Sequence, residues 1–500
     1  MRLFLVLLLL LPVDAFAGSA AADNWYIRPV ATCPNNGDGS AYACAASGGA
    51  AGAFSGFNNL NKTVTTGIDD GDTVYVCGSF VQADAETQFT NQAMLAIEES
   101  GSSGSVITWT GDCSAAGGST RATLTSDGTS GSLIRTYANT YITIAGTFDL
   151  VGGKDAGMTL YNSAAGDVAI SKNIRVESGT TISNIHGGTQ EVGITWSGTD
   201  GYIGAVTIND IGVDGLFEYS GGNWIIDGAR ITNVSVDDSN GDCVQLQRNT
   251  SGDAVRNLYC DKTNADSKQC VVASTLDSQA YIMEVSDMWC DMKVGTVSIG
   301  VYSEGQMTVK RSFIRNAGTY GITGALDNGA KMTAIGNIIV TPTTGCIDVH
   351  KTSAGPAADI YNNTCISNGT YGIYAGAATA TINIRNNSIT GTATNGIYRG
   401  ASGTSDSYNN VFGPTTLYSD NGVAGSASTG AKSADPLFRD GSLPTTAAGF
   451  KLLPSSTLRR AGTELNIGNV QDFGNRAFSH PPSIGAWGFA SGDTASSRTT

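Results

Sequence analysis

The stretch DIYNNTCISNGTYGIY, residues 359–374, is followed 24 residues later by NIRNNSITGTATNGIY, residues 383–398. Each copy contains an apolar-x-polar-x-x-apolar phrase, at 360–365 and 384–389, and then a Tyr-Gly-Ile or Asn-Gly-Ile phrase. Two unrelated phrases that keep one rhythm indicate a structural repeat. Across the chain, with steps of 23 to 30 residues, copies of the first phrase begin at 226, 255, 285, 309, 334, 360, 384 and 407.

Each repeat unit contains short alternating strands separated by glycine and asparagine turns, without a helical period. Since one unit cannot bury its own apolar face, copies must stack to form a core. A period near 24 residues suits a coil of three short strands, with coils about 4.8 Å apart. Asn362-Asn363 and Asn386-Asn387 fall at equivalent turns, where asparagine tolerates left-handed backbone and stacked amides bond from coil to coil. The repeat therefore predicts an all-β solenoid.

This repeat resembles the right-handed parallel β-helix of the pectate-lyase-like proteins. Both ends of the chain are also similar to the ends of secreted β-helix proteins, in the phrases Trp25-Tyr26-Ile27-Arg28-Pro29, Gly71-Asp72-Thr73-Val74, Asp435-Pro436-Leu437-Phe438 and Ile484-Gly485-Ala486-Trp487. The resemblance implies a single-domain, single-stranded right-handed parallel β-helix with an N-terminal cap and a C-terminal closing segment. It implies no particular activity, because this architecture serves lyases, hydrolases, adhesins and phage tailspikes.

The start of the chain has the pattern of a secretory signal peptide. Arg2 precedes an apolar run over residues 3–11, and Ala15-Phe16-Ala17 fits a cleavage site after Ala17. That run is too short to span a bilayer, and no later segment reaches eighteen apolar residues. We therefore expect a secreted or cell-surface protein without a membrane span. Its expected segments are a signal peptide over 1–17, a cap over 18–64, a β-helix over 65–413, a closing segment over 414–490 and a disordered tail over 491–500.

The composition excludes several classes of function. The 500 residues carry a formal net charge of −15, which argues against nucleic acid as a partner because phosphate binding needs basic patches. Three histidines leave little material for a His-rich metal centre, and the ten cysteines lack the paired spacing of a zinc site. We expect no metal and no cofactor, with calcium left open. His186 and His480 are expected to be structural or solvent-facing.

The cysteines of an exported chain are candidates for disulfides. Equivalent positions in consecutive coils lie about 5 Å apart, within the range that a disulfide spans. The repeat predicts two disulfides between adjacent coils, Cys243–Cys270 and Cys260–Cys290. A third disulfide, Cys33–Cys44, would close the N-terminal segment. Two further pairings, Cys77–Cys113 and Cys346–Cys365, are weaker predictions. The alternative is that Cys260, Cys290 and Cys365 are small apolar residues filling inward positions.

Strand alternation predicts which side chains share the outer face of the second phrase. If the isoleucine or valine of each copy points inward, the next residue and the one two further on point outward. The outward set includes Tyr302, Glu304, Asp348, His350, Tyr374 and Tyr398. Aromatic rings beside carboxylates suit an extended sugar polymer, and Arg399 is added as a further substrate-binding candidate. The alternative is an ordinary solvated face with tyrosine chosen for its β-propensity.

Two acid groupings could serve catalysis. Asp348 and His350 would lie about 7 Å apart on one strand, a plausible acid/base pair, with Glu304 about 12 Å from Asp348. The second grouping is Asp237, Asp238 and Asp242, which faintly resembles the paired aspartates of β-helix polygalacturonases but lacks their Gly-His-Gly and Arg-x-Lys companions. That grouping could equally bind calcium or occupy a turn.

The predicted function is binding, and cleavage as a further step, of an extracellular polysaccharide. Hydrolysis is favoured over elimination, because a lyase must neutralise a uronate carboxylate and the candidate cations form no tight basic set. Those cations are Lys268, Lys293, Lys351 and Arg399. The alternative is a non-catalytic surface, adhesion or tailspike-like protein that uses the β-helix as a rigid scaffold.

Overall fold

The computed structural model describes residues 23–60, 67–86, 92–137, 140–161, 171–237, 241–247, 252–262, 268–274, 282–293, 298–326, 330–351, 357–376, 381–400, 402–465, 471–478 and 480–488. The predicted signal peptide, the predicted tail and Asp238 lie outside the described residues.

The strands form three rows that run along the molecule, named here row 1, row 2 and row 3. Row 1 consists of Ala93–Ile97, Ser132–Thr136, Ala156–Leu160, Val192–Thr199, Leu216–Gly222, Val244–Gln247, Gln269–Ser274, Ile299–Ser303, Tyr320–Leu326, Gly345–Lys351, Tyr371–Ala375, Asn395–Arg399 and Thr416–Asp420. Row 2 consists of Asn24–Arg28, Thr73–Val76, Ile107–Thr110, Thr140–Ile144, Lys172–Val176, Tyr202–Ile203, Ile225–Asp227, Asp253–Arg256, Ile282–Ser286, Gln306–Lys310, Lys331–Ile335, Ala357–Tyr361, Thr381–Arg385 and Gly403–Ser407. Row 3 consists of Ser79–Val81, Ala122–Thr125, Phe148–Val151, Thr181–Ile185, Thr207–Ile211, Arg230–Val234, Tyr259–Asp261, Trp289–Asp291, Phe313–Arg315, Ile338–Val340, Thr364–Ile366, Ser388–Thr390 and Asn410–Phe412.

The remaining elements are short. Two two-residue strands, Phe54–Ser55 and Val423–Ala424, pair with the first strand of row 2 and the last strand of row 1. The 3₁₀ turns of the described residues are Phe57–Asn59, Gln82–Asp84, Ser114–Ala116 and Ala447–Phe450.

Each strand of a row pairs in parallel with its counterpart one coil further along, which confirms the predicted all-β parallel solenoid. Row 3 is a single sheet of 13 strands, so the solenoid has about 13 coils. The register aligns Ile322, Ile347, Ile373 and Ile397 in one inward column of row 1. All four side chains are fully buried, and they form part of one apolar core that extends through the stack.

An asparagine ladder closes the turn between rows 2 and 3. The amide Nδ2 of Asn363 donates to Oδ1 of Asn387 at 3.0 Å, and Oδ1 of Asn363 accepts from Nδ2 of Asn337 at 3.0 Å. Asn362 and Asn386, one position earlier, have left-handed backbone with φ of 53° and 56°. Both features of the predicted asparagine turns are therefore confirmed.

The C-terminal segment folds back along the outside of row 3. Phe438, Phe450, Leu458 and Ile484 form a second apolar cluster with Ile338 and its neighbours in that row. The turn asparagines hold the segment, since Nδ2 of Asn362 donates to the carbonyl of Ser483 and Oδ1 of Asn386 accepts from the amide of Thr463. This contact joins residues far apart in sequence to the side of the solenoid.

The ten cysteines form five disulfides, which are Cys33–Cys44, Cys77–Cys113, Cys243–Cys260, Cys270–Cys290 and Cys346–Cys365. The predicted rungs Cys243–Cys270 and Cys260–Cys290 are wrong. Cys260 and Cys290 do occupy one register position in adjacent coils, but each is bonded within its own coil, to a cysteine of row 1 or directly before it.

The direction of the side chains explains the correction. Inward side chains of stacked strands run parallel, so their Cβ atoms keep the strand spacing of about 4.8 Å, longer than the roughly 3.8 Å a disulfide prefers. Side chains of row 1 and row 3 instead point toward each other across the interior of one coil. Cys243 and Cys260 meet in this way, with Cα atoms 6.2 Å apart.

Five disulfides indicate an extracellular protein, because such bonds persist in oxidising compartments. The part of the chain that the structure describes contains no helix long and apolar enough to cross a membrane.

Two carboxyl groups lie inside the solenoid. Glu218 occupies the register position that Trp196 and Leu246 fill in the neighbouring coils, and it is fully buried. It faces Asp253, whose Oδ1 accepts a hydrogen bond from the amide of Trp224 at 2.8 Å. Burial raises the pKa of both groups, that of Asp253 to about 7. Both carboxyl groups therefore favour the protonated form in this part of the core.

We expect the Glu218→Gln variant to lose less stability than the wild type on going from pH 5 to pH 8. The folded pKa of Glu218 lies well above its unfolded pKa, because burial and the charge of Asp253 raise it, so the stability contributed by protonated Glu218 is complete below about pH 4 and is lost as the pH rises. Glutamine removes this titration, whereas Asp253 still titrates in the variant. The measurement is the denaturant midpoint at both pH values, with Glu177→Gln as control, since the side chain of Glu177 is 40% exposed and lies on the surface beside Arg175. Equal pH dependence in all three proteins would contradict the raised pKa of Glu218.

Candidate functional site

The outer face of row 1 carries the predicted site residues in one column. The strand register aligns Tyr302 with Thr323, Asp348, Tyr374 and Tyr398 in five successive coils. Because neighbouring strands of a parallel sheet lie about 4.8 Å apart, these side chains form a continuous strip roughly 20 Å long. We call this strip, together with the outward residues two positions further along each strand, the row 1 face.

Asp348 and His350 form a hydrogen-bonded pair in the middle of the row 1 face. Oδ2 of Asp348 lies 2.6 Å from Nδ1 of His350. Asp348 is 3% exposed, whereas the side chain of His350 is 43% exposed. Burial raises the pKa of Asp348, and the hydrogen bond that His350 donates to Asp348 raises the pKa of His350. With Nδ1 held by the carboxylate, Nε2 is the nitrogen that can exchange a proton with a ligand.

Tyrosine rings flank this pair on its C-terminal side. Tyr374 and Tyr398 stack with ring centroids 4.8 Å apart and planes 17° from parallel. Tyr371 packs against both rings, with centroids at 4.7 Å and 5.5 Å. Burial raises the pKa of Tyr374 and of Tyr320, and the carboxylate of Asp348 raises both further. The phenolic hydroxyls therefore stay protonated and can donate hydrogen bonds.

Sequence reasoning missed Tyr320 and Tyr371, which share one register column at the start of their strands. Alternation counted back from the inward Ile322 points Tyr320 into the core. The intervening glycine breaks the alternation, since a Cβ at Gly321 would lie 2.4 Å from Cγ2 of Ile339 in row 3. The signal was the glycine itself, which marks a corner where row 1 approaches row 3 too closely for a side chain.

Glu304 lies on the row 1 face but apart from the Asp348–His350 pair. It follows the strand Ile299–Ser303, two coils before His350 in the register. Two coil steps separate their backbones by about 10 Å. Its Oε1 accepts a hydrogen bond from the hydroxyl of Tyr302 at 3.0 Å. Of the three predicted catalytic residues, Asp348 and His350 are therefore in contact, and Glu304 is two coils away.

Arg399 is engaged by carboxylates at the C-terminal end of the stack. Its Nη1 lies 2.7 Å from Asp406 and its Nε 2.6 Å from Asp420, and its guanidinium packs over the ring of Tyr418. It pairs in register with the inward Ala375, so it is on the opposite side of the strand from Tyr398. Its predicted role in substrate binding stays a prediction. Together with Gly400, it lines a cleft of about 560 Å³ at this end of the stack.

The second acid grouping is not brought together as one site. Asp237 is exposed and lies 2.7 Å from Nδ1 of His186. Asp242 is buried, its Oδ1 accepts from the amide of Gln269, and Nζ of the buried Lys262 lies 3.8 Å away. Burial raises the pKa of Asp242 to about 6. The two described members of the predicted cluster therefore lie in different environments. Asp237 is in an exposed turn, whereas Asp242 is buried just before the strand Val244–Gln247.

Comparisons with known proteins report on the fold. No protein family model and no curated protein matches the chain. The alginate lyase AlyGC of family PL6 is 14% identical, with a TM-score of 0.50 over 85% of this chain and 57% of its own. The pectate lyase Pel9A is 12% identical, with a TM-score of 0.43 over 94% of this chain and 97% of its own.

A further solved structure is a mannuronic acid specific family 6 polysaccharide lyase from the human gut microbiota, 12% identical with a TM-score of 0.41 over 73% of this chain and 78% of its own. At these identities the likeness concerns architecture alone. The parallel coils, the continuous core and the match to AlyGC agree on one conclusion. This chain has the parallel β-helix fold of the pectate-lyase-like proteins.

Proposed function

We propose that this protein is exported by removal of residues 1–17, binds an extracellular polysaccharide along the row 1 face and hydrolyses it at the Asp348–His350 pair. The observation that carries the proposal is this hydrogen-bonded pair, 2.6 Å between Oδ2 and Nδ1, set in a continuous strip beside stacked tyrosines. AlyGC, which shares the fold, is an alginate lyase, which supports the same class of ligand.

Binding would use the edges of the tyrosine rings. Tyr374 and Tyr398 cover each other's faces, so their hydroxyls rather than their ring planes meet a ligand lying along the strip. Phenolic hydroxyls both donate and accept hydrogen bonds, as sugar hydroxyls require. A rigid strip with one side chain every 4.8 Å or so suits an extended polymer better than a small molecule.

The charges of the row 1 face favour hydrolysis of a neutral polymer over elimination from a polyuronate. Elimination needs a cation to neutralise the substrate carboxylate. The described residues of this strip from Tyr302 to Tyr398 include Glu304 and Asp348 but no lysine or arginine. Arg399 is held by Asp406 and Asp420. The net charge of −15 would also repel a polyanion.

His350 would act as the base that activates water, with Asp348 orienting its ring. Glu304 is the candidate acid. An inverting hydrolase places its two catalytic groups about 6.5–9.5 Å apart to leave room for water. A backbone separation of about 10 Å lets the long side chain of Glu304 reach into that range.

The test incubates the mature protein with neutral and acidic polysaccharides, with and without calcium. Polymer size is followed by chromatography, and ultraviolet absorbance records unsaturated sugar ends. Shortened neutral polymers without new absorbance are the expected result. New absorbance would establish elimination and overturn the proposed hydrolysis. Polymers that stay intact but bind would leave the scaffold or adhesion function in its place.

A further inference from the structure

A second cluster of ionisable side chains lies on the outside of row 3, apart from the row 1 face. His186 and Asp237 follow the strands Thr181–Ile185 and Arg230–Val234, and Asp210 lies in the strand Thr207–Ile211 between them. Glu191 joins them from the turn before the next row 1 strand. The cluster therefore connects three successive coils.

The distances within this cluster are short. Nδ1 of His186 lies 2.7 Å from Oδ2 of Asp237, and its Nε2 lies 3.3 Å from Oδ1 of Asp210. One ligand atom each of His186, Glu191 and Asp237 lie within 4.8 Å of one another. Atoms bound at about 2.0–2.2 Å from one metal ion lie about 3–4 Å apart, so a small movement of these side chains would suffice.

Glu191 supplies an independent reason to expect a cation. It is 7% exposed, and its Oε1 accepts hydrogen bonds from the amides of Gly187 and Gly188 at 2.8 Å and 2.9 Å. Its Oε2 receives no hydrogen bond from the described residues. A carboxylate on a residue that is only 7% exposed and lies beside the carboxylate of Asp237 is costly unless a positive charge compensates it.

The charge of the cluster is unbalanced. Glu191, Asp210 and Asp237 are three carboxylates beside one imidazole, and no lysine or arginine of the described chain forms an ion pair with them. Even a protonated imidazole would leave two negative charges. Nδ1 of His186 is hydrogen-bonded to Asp237 in this structure, so a metal ion bound by Nδ1 would displace a proton there, and Asp210 would hold the proton on Nε2, the role of the carboxylate behind a metal-bound histidine.

We propose that His186, Glu191 and Asp237 bind one divalent transition-metal ion of the zinc class, with Asp210 as the positioning residue for His186. A nitrogen together with two carboxylate oxygens suits zinc, cobalt or manganese, whereas calcium and magnesium prefer oxygen ligands throughout. The ion joins three coils and has solvent on its open side, since the side chains of His186 and Asp237 are 31% and 47% exposed. This inference is independent of the polysaccharide function.

The test uses full-length mature protein freed of metal by a chelator and then titrated with Zn²⁺ alone. Equilibrium dialysis with elemental analysis should give one zinc ion per chain, and calorimetry should give a Kd at least tenfold higher for His186→Gln and for Asp237→Asn. Zinc should raise Tm in the wild type by about 2 °C or more and in neither variant. Co²⁺ should give a visible absorption band that requires His186.

His480→Gln is the matched control, because His480 also forms an exposed histidine–carboxylate pair, 2.8 Å from Glu464. It should bind zinc as the wild type does. Binding of less than one zinc ion per chain by the wild type, or equal binding by all variants, would overturn the site. Calcium that competes with zinc at equal concentration would overturn the assignment to a transition metal. Circular dichroism of both variants in chelator confirms that they are folded.

Discussion

The His350→Gln variant is expected to lose polysaccharide cleavage by a factor of about 10²–10⁴, the usual contribution of a general base. Glutamine keeps a polar side chain of similar length at the site but cannot take up a proton at neutral pH. The loss should be in kcat rather than KM, because the tyrosine hydroxyls that would hold the polymer are unchanged. Initial rates on the polymer that the wild type shortens provide the measurement.

The pH profile distinguishes a base from a merely structural histidine. The hydrogen bond that His350 donates to Asp348 raises the pKa of His350, so a base at this position becomes active only as the pH rises through a value above 6.5, its ordinary pKa. In Asp348→Asn that carboxylate is absent, and the rising limb should move to lower pH while the maximal rate falls.

His480→Gln removes an exposed histidine of a similar carboxylate pair and should change neither the rate nor the profile. A His350→Gln enzyme with the wild-type rate would exclude His350 as the base. A profile unmoved by Asp348→Asn would show that the pair is structural.

The Asn363→Ala variant is expected to destabilise the fold by on the order of 4 kcal/mol. Its side chain bonds the carbonyl of Ala334 and Oδ1 of Asn387, and accepts from both the amide and Nδ2 of Asn337. Alanine would leave four buried polar groups without these partners, at about 1–3 kcal/mol for each group that water cannot reach. Chemical denaturation monitored by circular dichroism measures the change.

Asn383→Ala is the matched control, since this asparagine lies on the outer side of row 2 and makes one side-chain bond, to Asp359 at 2.9 Å. Water can replace that bond, so we expect a loss below about 1 kcal/mol. Similar losses in the two variants would show that the ladder adds nothing beyond ordinary surface hydrogen bonds.

Much of the row 1 face follows from the sequence because a regular repeat with alternating strands determines columns. Tyr302, Asp348, Tyr374 and Tyr398 share a column in the register, as the spacing of the second phrase predicts. The hydrogen bond between Asp348 and His350 follows from the same reasoning, since residues two apart on one strand face the same way. Each of these relations holds within one row.

Relations between rows could not be predicted in this way. The disulfide partners of Cys243 and Cys270, the outward tyrosines beside Gly321 and the His186 cluster all depend on how a coil turns its corners. A corner consists of one or two residues whose backbone angles are not periodic. Its direction is set by contacts with another row.

The repeat alone establishes the stacking, the period, the asparagine turns and the order of side chains along the row 1 face, because hydrogen bonds between equivalent strands copy the repeat from coil to coil. The folded coils were needed to show which cysteines bond, that Arg399 pairs with Asp406 and Asp420, and that Glu218 and Asp253 share the interior. The physical reason is that those contacts depend on the distance and direction across a coil, which strand periodicity leaves undetermined.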